Sequence, residues 1–144
     1  MTRTPFTALE CRVGLGRVLV DAADIELVAE YPVSAPLPYA SRLTYALGAW
    51  QGELLLSICM TRPTAERARP AVGLVMRHPG ATRWAFEIAA PVGLVEVVAL
   101  ARPQSDATRW LRTASLASGV SVQLVDVATL IEELEAAPRP RGGA

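Results

Sequence analysis

Lysine is absent. All fourteen basic residues of this 144-residue chain are arginines, and they balance fourteen carboxylates to a formal net charge of zero. A neutral chain lacks the dense basic surface of a nucleic-acid binder, and it lacks a polybasic membrane anchor. The exclusive use of arginine, together with the many alanines, reads as a habit of the source genome and not as function. Histidine occurs once, at His78, and cysteine twice, at Cys11 and Cys59. One imidazole and two thiols inside apolar runs are too few ligands for a zinc site. The cysteines read as buried, reduced thiols, and nothing points to the disulfide framework of a secreted domain. No apolar run approaches the roughly 20 residues needed to cross a bilayer. The start, MTRTPFTALE, lacks the apolar core of a signal peptide. These absences point to a soluble, cytoplasmic protein that is not membrane-embedded.

What is present is apolar and strand-like. Apolar residues make up 51% of the chain, enough for a sizeable core. In ALECRV, Leu9, Cys11 and Val13 fall on one face and Glu10 and Arg12 on the other, the period of two of a half-buried strand. Gly14-Leu15-Gly16 turns the chain, and Arg17 to Val20 returns as a hairpin partner. DAADIELVAE is ambiguous: Asp21 could cap a helical turn, while Ile25, Leu27 and Val28 could begin a strand. Pro32, Pro36 and Pro38 exclude a central strand or a helix interior from YPVSAPLPYA. Trp50-Gln51-Gly52 reads as an exposed turn, and Leu54 to Ile58 as a buried strand. The polar, proline-bounded stretch 61–70 is the best internal boundary.

A second strand set follows. AVGLVMR and RWAFEIAA flank a turn at His78-Pro79-Gly80, with Trp84, Phe86 and Ile88 on one face and Arg83, Ala85 and Glu87 on the other. GLVEVVAL is a further strand, and Ala117-Ser118-Gly119 closes a last hairpin. One helix is expected near the end, with Asp126 as N-cap, Thr129 as a second candidate, and Leu130, Ile131 and Leu134 as its apolar stripe. AAPRPRGGA reads as a disordered tail. Nine or ten short strands and one terminal helix indicate barrels or a sandwich, not a parallel sheet with crossover helices.

Catalytic chemistry is hard to assemble. His78 reads as a solvated turn residue, and a Cys59–His78 dyad lacks thiolate-activating surroundings. GLGRVL opens like a dinucleotide loop, but Leu19 stands at its third glycine position within a hairpin. The carboxylates of EELE read as a solvated helix face. Trp84 and Trp110 could line a ligand cage, although core or rim packing is their commoner fate. No cofactor or metal is expected. Barrels, turns and apolar surface suit an adaptor that works through docking patches.

The order of segments resembles the CheW-like family, the bacterial adaptors that couple chemoreceptors to a histidine kinase. The likeness is spread over roughly residues 8–135. CRVGLGRVLVD resembles the opening strand pair, and ADIELVAE the V-x-E-I segment, with Ile25 at the valine. SAPLPYASRLTYALGAWQGELLLSI resembles the proline-containing stretch, the G-V-x-N-x-R-G turn with Gly48 and Gly52 as its glycines, and the following apolar strand. WLRTASLASGVSVQLVDVATLIEEL resembles the closing hairpin and helix start, with Asp126 at the aspartate.

The resemblance implies a mainly β fold of two intertwined five-stranded SH3-like β-barrels with a C-terminal helix. The expected organisation is a single domain over residues 5–136. The first barrel lies mostly in 8–62 and the second mostly in 70–125, terminal elements being exchangeable between them, and 137–144 forms a tail. It also implies a non-catalytic adaptor for two partners: the regulatory domain of a CheA-type histidine kinase and the cytoplasmic tip of a methyl-accepting chemoreceptor. Such an adaptor is monomeric alone and recruited to receptor arrays at the membrane. The residues expected to meet partners are Ile25, Val28, Trp50, Gln51, Gly52 and Glu53, with Gly48 and Gly52 shaping the turn.

The departures matter. The family arginine of the turn is Gln51 here, so a charged five-donor fork becomes a neutral amide. Ala49 replaces an asparagine, Leu56 and Cys59 stand near the places of a proline and an aspartate, and Ala90-Pro91 falls in the V-D-x-V segment of the second barrel. Retuned partners are one explanation. A fold kept as a structural or dimerisation module of a motility complex is another. A small-ligand site in a cleft near Cys59, Trp84 and His78 is a third.

Overall fold

The computed structural model of the chain describes residues 5–14, 16–31, 33–36, 44–60, 71–78, 80 and 82–136. Eleven strands run through them: β1 (Phe6–Val13), β2 (Gly16–Asp21), β3 (Ile25–Tyr31), β4 (Val33–Pro36), β5 (Thr44–Trp50), β6 (Glu53–Cys59), β7 (Ala71–Met76), β8 (Arg83–Ile88), β9 (Ala90–Leu100), β10 (Leu111–Leu116) and β11 (Ser121–Val125). One α-helix, α1 (Val127–Ala136), follows. The fold is mainly β with a C-terminal helix, as the strand periodicity indicates.

β1 explains why the strands sort as they do. Its alternation gives it two apolar faces, not one. Ala8 and Phe6 turn into the interior of a closed barrel of order β1-β2-β11-β10-β9, beside Leu19, Val97, Ala114 and Leu124. Cys11, flanked by Leu9 and Val13, turns outward to a second core shared with the other sheet and with α1. A register shift between Glu10 and Cys11 against β9 marks where the strand bends.

The remaining strands form a sheet of order β3-β7-β8-β6-β5-β4. Its outermost strands, β3 and β4, are separated in sequence by residue 32 alone, so the two edges of the sheet meet at that point. Counted separately, β3 and β4 give this sheet six strands where five were expected. Proline is tolerated in β4 because β4 is an edge. Inside the curl lie Ala29, Tyr31, Leu55, Val75 and Ala85. The opposite face, with Ile58, Leu74, Met76, Trp84, Phe86 and Ile88, packs on Val18 and Val20 of the barrel and on Val127, Leu130 and Ile131 of α1.

The strand sets expected on either side of residues 61–70 do not coincide with the two sheets. β1 and β2 join β9 to β11, whereas β3 to β6 join β7 and β8. Four pairings make this exchange: antiparallel β1 with β9 and β3 with β7, and parallel β6 with β8 (Leu56↔Trp84) and β11 with β2 (Leu124↔Leu19). Residues 61–70 and 137–144 lie outside the described residues, as do Leu15, Pro32, Pro38 and Pro79.

Local signals hold where a turn fixes the geometry. The β1–β2, β7–β8 and β10–β11 hairpins form as read. Both readings of DAADIELVAE are realised in succession: Asp21 Oδ1 accepts the Ala23 amide at 2.9 Å to cap a short 3₁₀ turn over Ala22–Asp24, and β3 begins at Ile25. Asp126 Oδ1 accepts the Thr129 amide at 3.1 Å and caps α1.

Candidate protein-binding site

The β5–β6 hairpin closes on two residues. Trp50 pairs with Glu53, and Gln51 and Gly52 between them have φ of 49° and 77°. Positive φ at both central positions defines the primed turn whose twist matches that of its strands. Gly52 suits this conformation, and a Cβ there would meet open space. Gln51 does not, because a side chain in the left-handed region costs roughly 1–2 kcal/mol. Gly48 was expected to shape the turn with Gly52. It lies instead inside β5, buried and paired with Leu55, because the turn itself needs only two residues.

Trp50 is likewise not part of an exposed turn. It ends β5 half-buried, and its side chain packs on the cluster of Leu55, Tyr31 and Ala85 inside the curled sheet. The leucine run after the turn is not uniformly buried either. β6 alternates, so Leu55 is fully buried while Leu54, on the other face at the strand's start, is 64% exposed.

Arg83, at the start of β8, gathers this end of the sheet. Its Nε donates to Glu53 Oε2 at 2.9 Å, and its Nη1 donates to both oxygens of Glu26 at 3.0 Å. The hydrogen bond that Arg83 donates to Glu26, then that to Glu53, raises the guanidinium above its already high ordinary value. One cation thus ties the hairpin tip to the first residues of β3. The sequence-expected residues Glu53 and Ile25 are brought to the same end through Glu26, which adjoins Ile25 in the chain. They are not equivalent there. Ile25 is half-buried against the shared core, whereas Val28, farther along β3, is 48% exposed. Sequence reading missed Glu26 and Arg83. The alternation of RWAFEI put Arg83 on the Ala85 face, but nothing local showed that this face meets two carboxylates.

The residues weighed for chemistry separate into two places. His78 was read as a solvated turn residue, but its side chain is only 14% exposed, and its Nε2 lies 3.3 Å from Glu135. Glu135 also accepts the Trp84 indole N–H at 3.2 Å. The EELE carboxylates are therefore not simply a solvated face: Glu135 holds the last turn of α1 to β8 and to His78 beyond the end of β7, and Glu133 lies 3.6 Å from Arg109. Trp84 is core, 3% exposed.

Cys59 lies apart from His78. Its thiol donates to Glu87 Oε2 at 3.1 Å, beside Ser57 and Tyr31, at a cavity of about 230 Å³ lined also by Val13, Gly14, Met60 and Ile88. Cys11 and Cys59 are both free and buried. Burial, with the Glu10 charge adding, pushes the Cys11 thiol up to about 12. Among the described residues no group of three or more His, Cys, Asp or Glu could hold a metal ion, and no helix is long and apolar enough to cross a membrane.

No protein-family profile matches the chain, and no curated protein sequence does. Its fold does have a solved counterpart. The crystal structure of the scaffolding protein TtCheW from Thermoanaerobacter tengcongensis superposes with a TM-score of 0.64 over 90% of this chain and 94% of that one, at 12% sequence identity. The fold is CheW-like.

Proposed function

We propose that the chain is a non-catalytic adaptor that couples a chemoreceptor-like protein to a CheA-type histidine kinase in chemotaxis or motility signalling. The observation that carries this reading is the end-to-end likeness to a CheW scaffold: nearly the whole of each chain is covered, so the complete two-sheet architecture is shared and not one barrel alone. Fold alone does not convey function. The reading draws its functional content from the segment order, which follows the same family from the opening strand pair to the helix cap.

The partner-facing residues we assign are Val28, Gln51, Gly52 and Glu53, with Ile25 and Trp50 as their half-buried supports. Gln51, Gly52 and Glu53 form the projecting hairpin tip, to which Arg83 ties the start of β3, and Val28 is exposed farther along that strand. The adaptor works at the receptor arrays to which its partners belong.

Co-purification tests the reading. The full chain should retain both a histidine kinase bearing a CheW-like regulatory domain and a chemoreceptor cytoplasmic fragment from the same genome. Binding to neither at roughly tens of micromolar would sink it. A chain that instead sediments as a self-associated dimer and holds no partner would be the structural module of the second reading.

A further inference from the structure

α1 is fastened to both sheets. On the side of the closed barrel, the Asp126 amide donates to the Trp110 carbonyl at 2.7 Å, and Glu133 lies 3.6 Å from Arg109. The last turn is fastened to the other sheet. Glu135 Oε2 accepts the Trp84 indole N–H of β8 at 3.2 Å, and His78, just past β7, places its Nε2 3.3 Å from each Glu135 oxygen. Between these fastenings Val127, Leu130 and Ile131 fill the core shared by the two sheets, and Leu134 packs against it. The helix therefore bridges the sheets, and Glu135 is the polar contact at its far end.

That contact contains a group that changes charge. An ionised carboxylate only accepts, so a neutral His78 ring must carry its proton on Nε2. Protonation of the ring keeps the bond and makes it an ion pair, a stronger contact than one with a neutral donor. It also sets a cation at a helix C-terminus, where the macrodipole favours one and where the last turn of α1 has no basic residue. Imidazole is the side chain whose charge ordinarily changes between pH 5 and 8, and His78 is the only histidine of the chain. Among the described residues, the other charges on the surrounding elements are engaged elsewhere or turned away. Arg77 donates its amide to the Asp24 carbonyl and its Nε to the Ile25 carbonyl. Arg83 and Glu87 lie on the face of β8 opposite Trp84, bonded to Glu53 and Cys59. Glu133 faces Arg109, and Glu132 is exposed.

We propose that His78 and Glu135 form a proton-operated clamp between the two sheets. Acidification tightens the last turn of α1 onto β8, and a rise in pH loosens it. The clamp goes beyond the adaptor reading and acts whichever partner the chain binds.

Amide exchange of the ¹⁵N-labelled full chain at about pH 6 and about pH 8 tests it. Corrected for intrinsic exchange at each pH, the amides of Leu134, Glu135 and Ala136 should be about two- to five-fold more protected at the lower pH. His78→Gln and Glu135→Gln should each abolish that difference. Glu135 is the more exposed of the pair, so Glu135→Gln decides the matter if His78→Gln disturbs the fold. The ring nitrogens of His78 give a second readout: at about pH 8 the neutral ring should be the Nε2–H tautomer. Equal protection at both pH values, a difference that survives Glu135→Gln, or a neutral ring protonated on Nδ1 would overturn the proposal.

Discussion

The Tyr31 hydroxyl lies 2.6 Å from Ser57 Oγ, although β7 and β8 separate their strands in the sheet. The bond crosses the interior of the curl, and the Tyr31 ring reaches it by lying over Gly73. A Cβ on Gly73 would stand 2.6 Å from that hydroxyl and 2.8 Å from the ring. Gly73→Ala must therefore expel the ring, and we expect a loss of about 2–3 kcal/mol in urea unfolding, from overpacking and the broken bond together. Tyr31→Phe should cost only about 1–2 kcal/mol. The double variant should cost less than the sum, because both changes act on one contact. Strict additivity would show that the ring and the glycine are independent.

Gln51 is the strained residue of the tip. Its φ of 49° suits asparagine far better than glutamine. Gln51→Asn should raise the unfolding free energy by about 0.5–1 kcal/mol, read as a higher urea midpoint with an unchanged slope. Gln51→Arg retains the same backbone cost and should leave stability within about 0.5 kcal/mol. The pair separates the turn's energetics from its recognition role: an effect of Gln51→Arg on partner retention would then be a contact effect. A drop in midpoint on Gln51→Asn would mean that the glutamine side chain makes a compensating contact.

How much of this was legible in the sequence depends on range. Hairpins read correctly because a turn and two alternating runs specify a local pairing: Ala117-Ser118-Gly119 suffices for β10 and β11. Partners distant in sequence did not read. The Phe6↔Val97 pairing and the parallel Leu124↔Leu19 pairing leave no mark in either local pattern, so the sequence allows an exchange of terminal elements between barrels without showing which strands exchange. The ion-pair cluster beside the candidate site stayed hidden for the same reason. Gln51 and Gly52 were visible as a turn, but Arg83, Glu26 and Glu53 come from three segments and meet only when the sheet curls. His78 misled because RHPG reads as a turn whether or not a helix, 57 residues later, covers it.

The two thiols should behave as core. Cys11 and Cys59 should resist iodoacetamide at neutral pH until the chain unfolds, because buried thiols react only on exposure. Prompt labelling of Cys59 in the folded chain would revive a reactive site at its cavity.

Cys11 also sets an alkaline limit. Its thiol ionises near its ordinary 9.0 when unfolded and only at about 12 when folded. Between those values the unfolded state binds fewer protons than the folded one, so stability falls as pH rises. Below 9.0 both states hold the proton and the effect vanishes. Unfolding free energies of wild type and Cys11→Ala, compared at about pH 8 and about pH 10.5, should show the larger alkaline loss in the wild type. Equal losses would mean that the folded thiol ionises as readily as the unfolded one.

Trp50 and Leu54 separate support from contact. Trp50 packs on Leu55 and Tyr31, so Trp50→Ala should lower stability by about 2 kcal/mol, less than a fully buried aromatic because part of the side chain stays solvated. Leu54, 64% exposed, should tolerate Ser within about 0.5 kcal/mol. Partner retention then has a clear reading. If both variants lose partners, the tip is the docking surface and Trp50 holds its shape. If Trp50→Ala alone does so, and in proportion to its lost stability, the tip is not a contact and the partner surface lies elsewhere on the sheet. If Trp50→Ala leaves the urea midpoint unchanged, the tryptophan is a contact residue and not a cap. Urea midpoints measured on the same preparations used for co-purification decide among these.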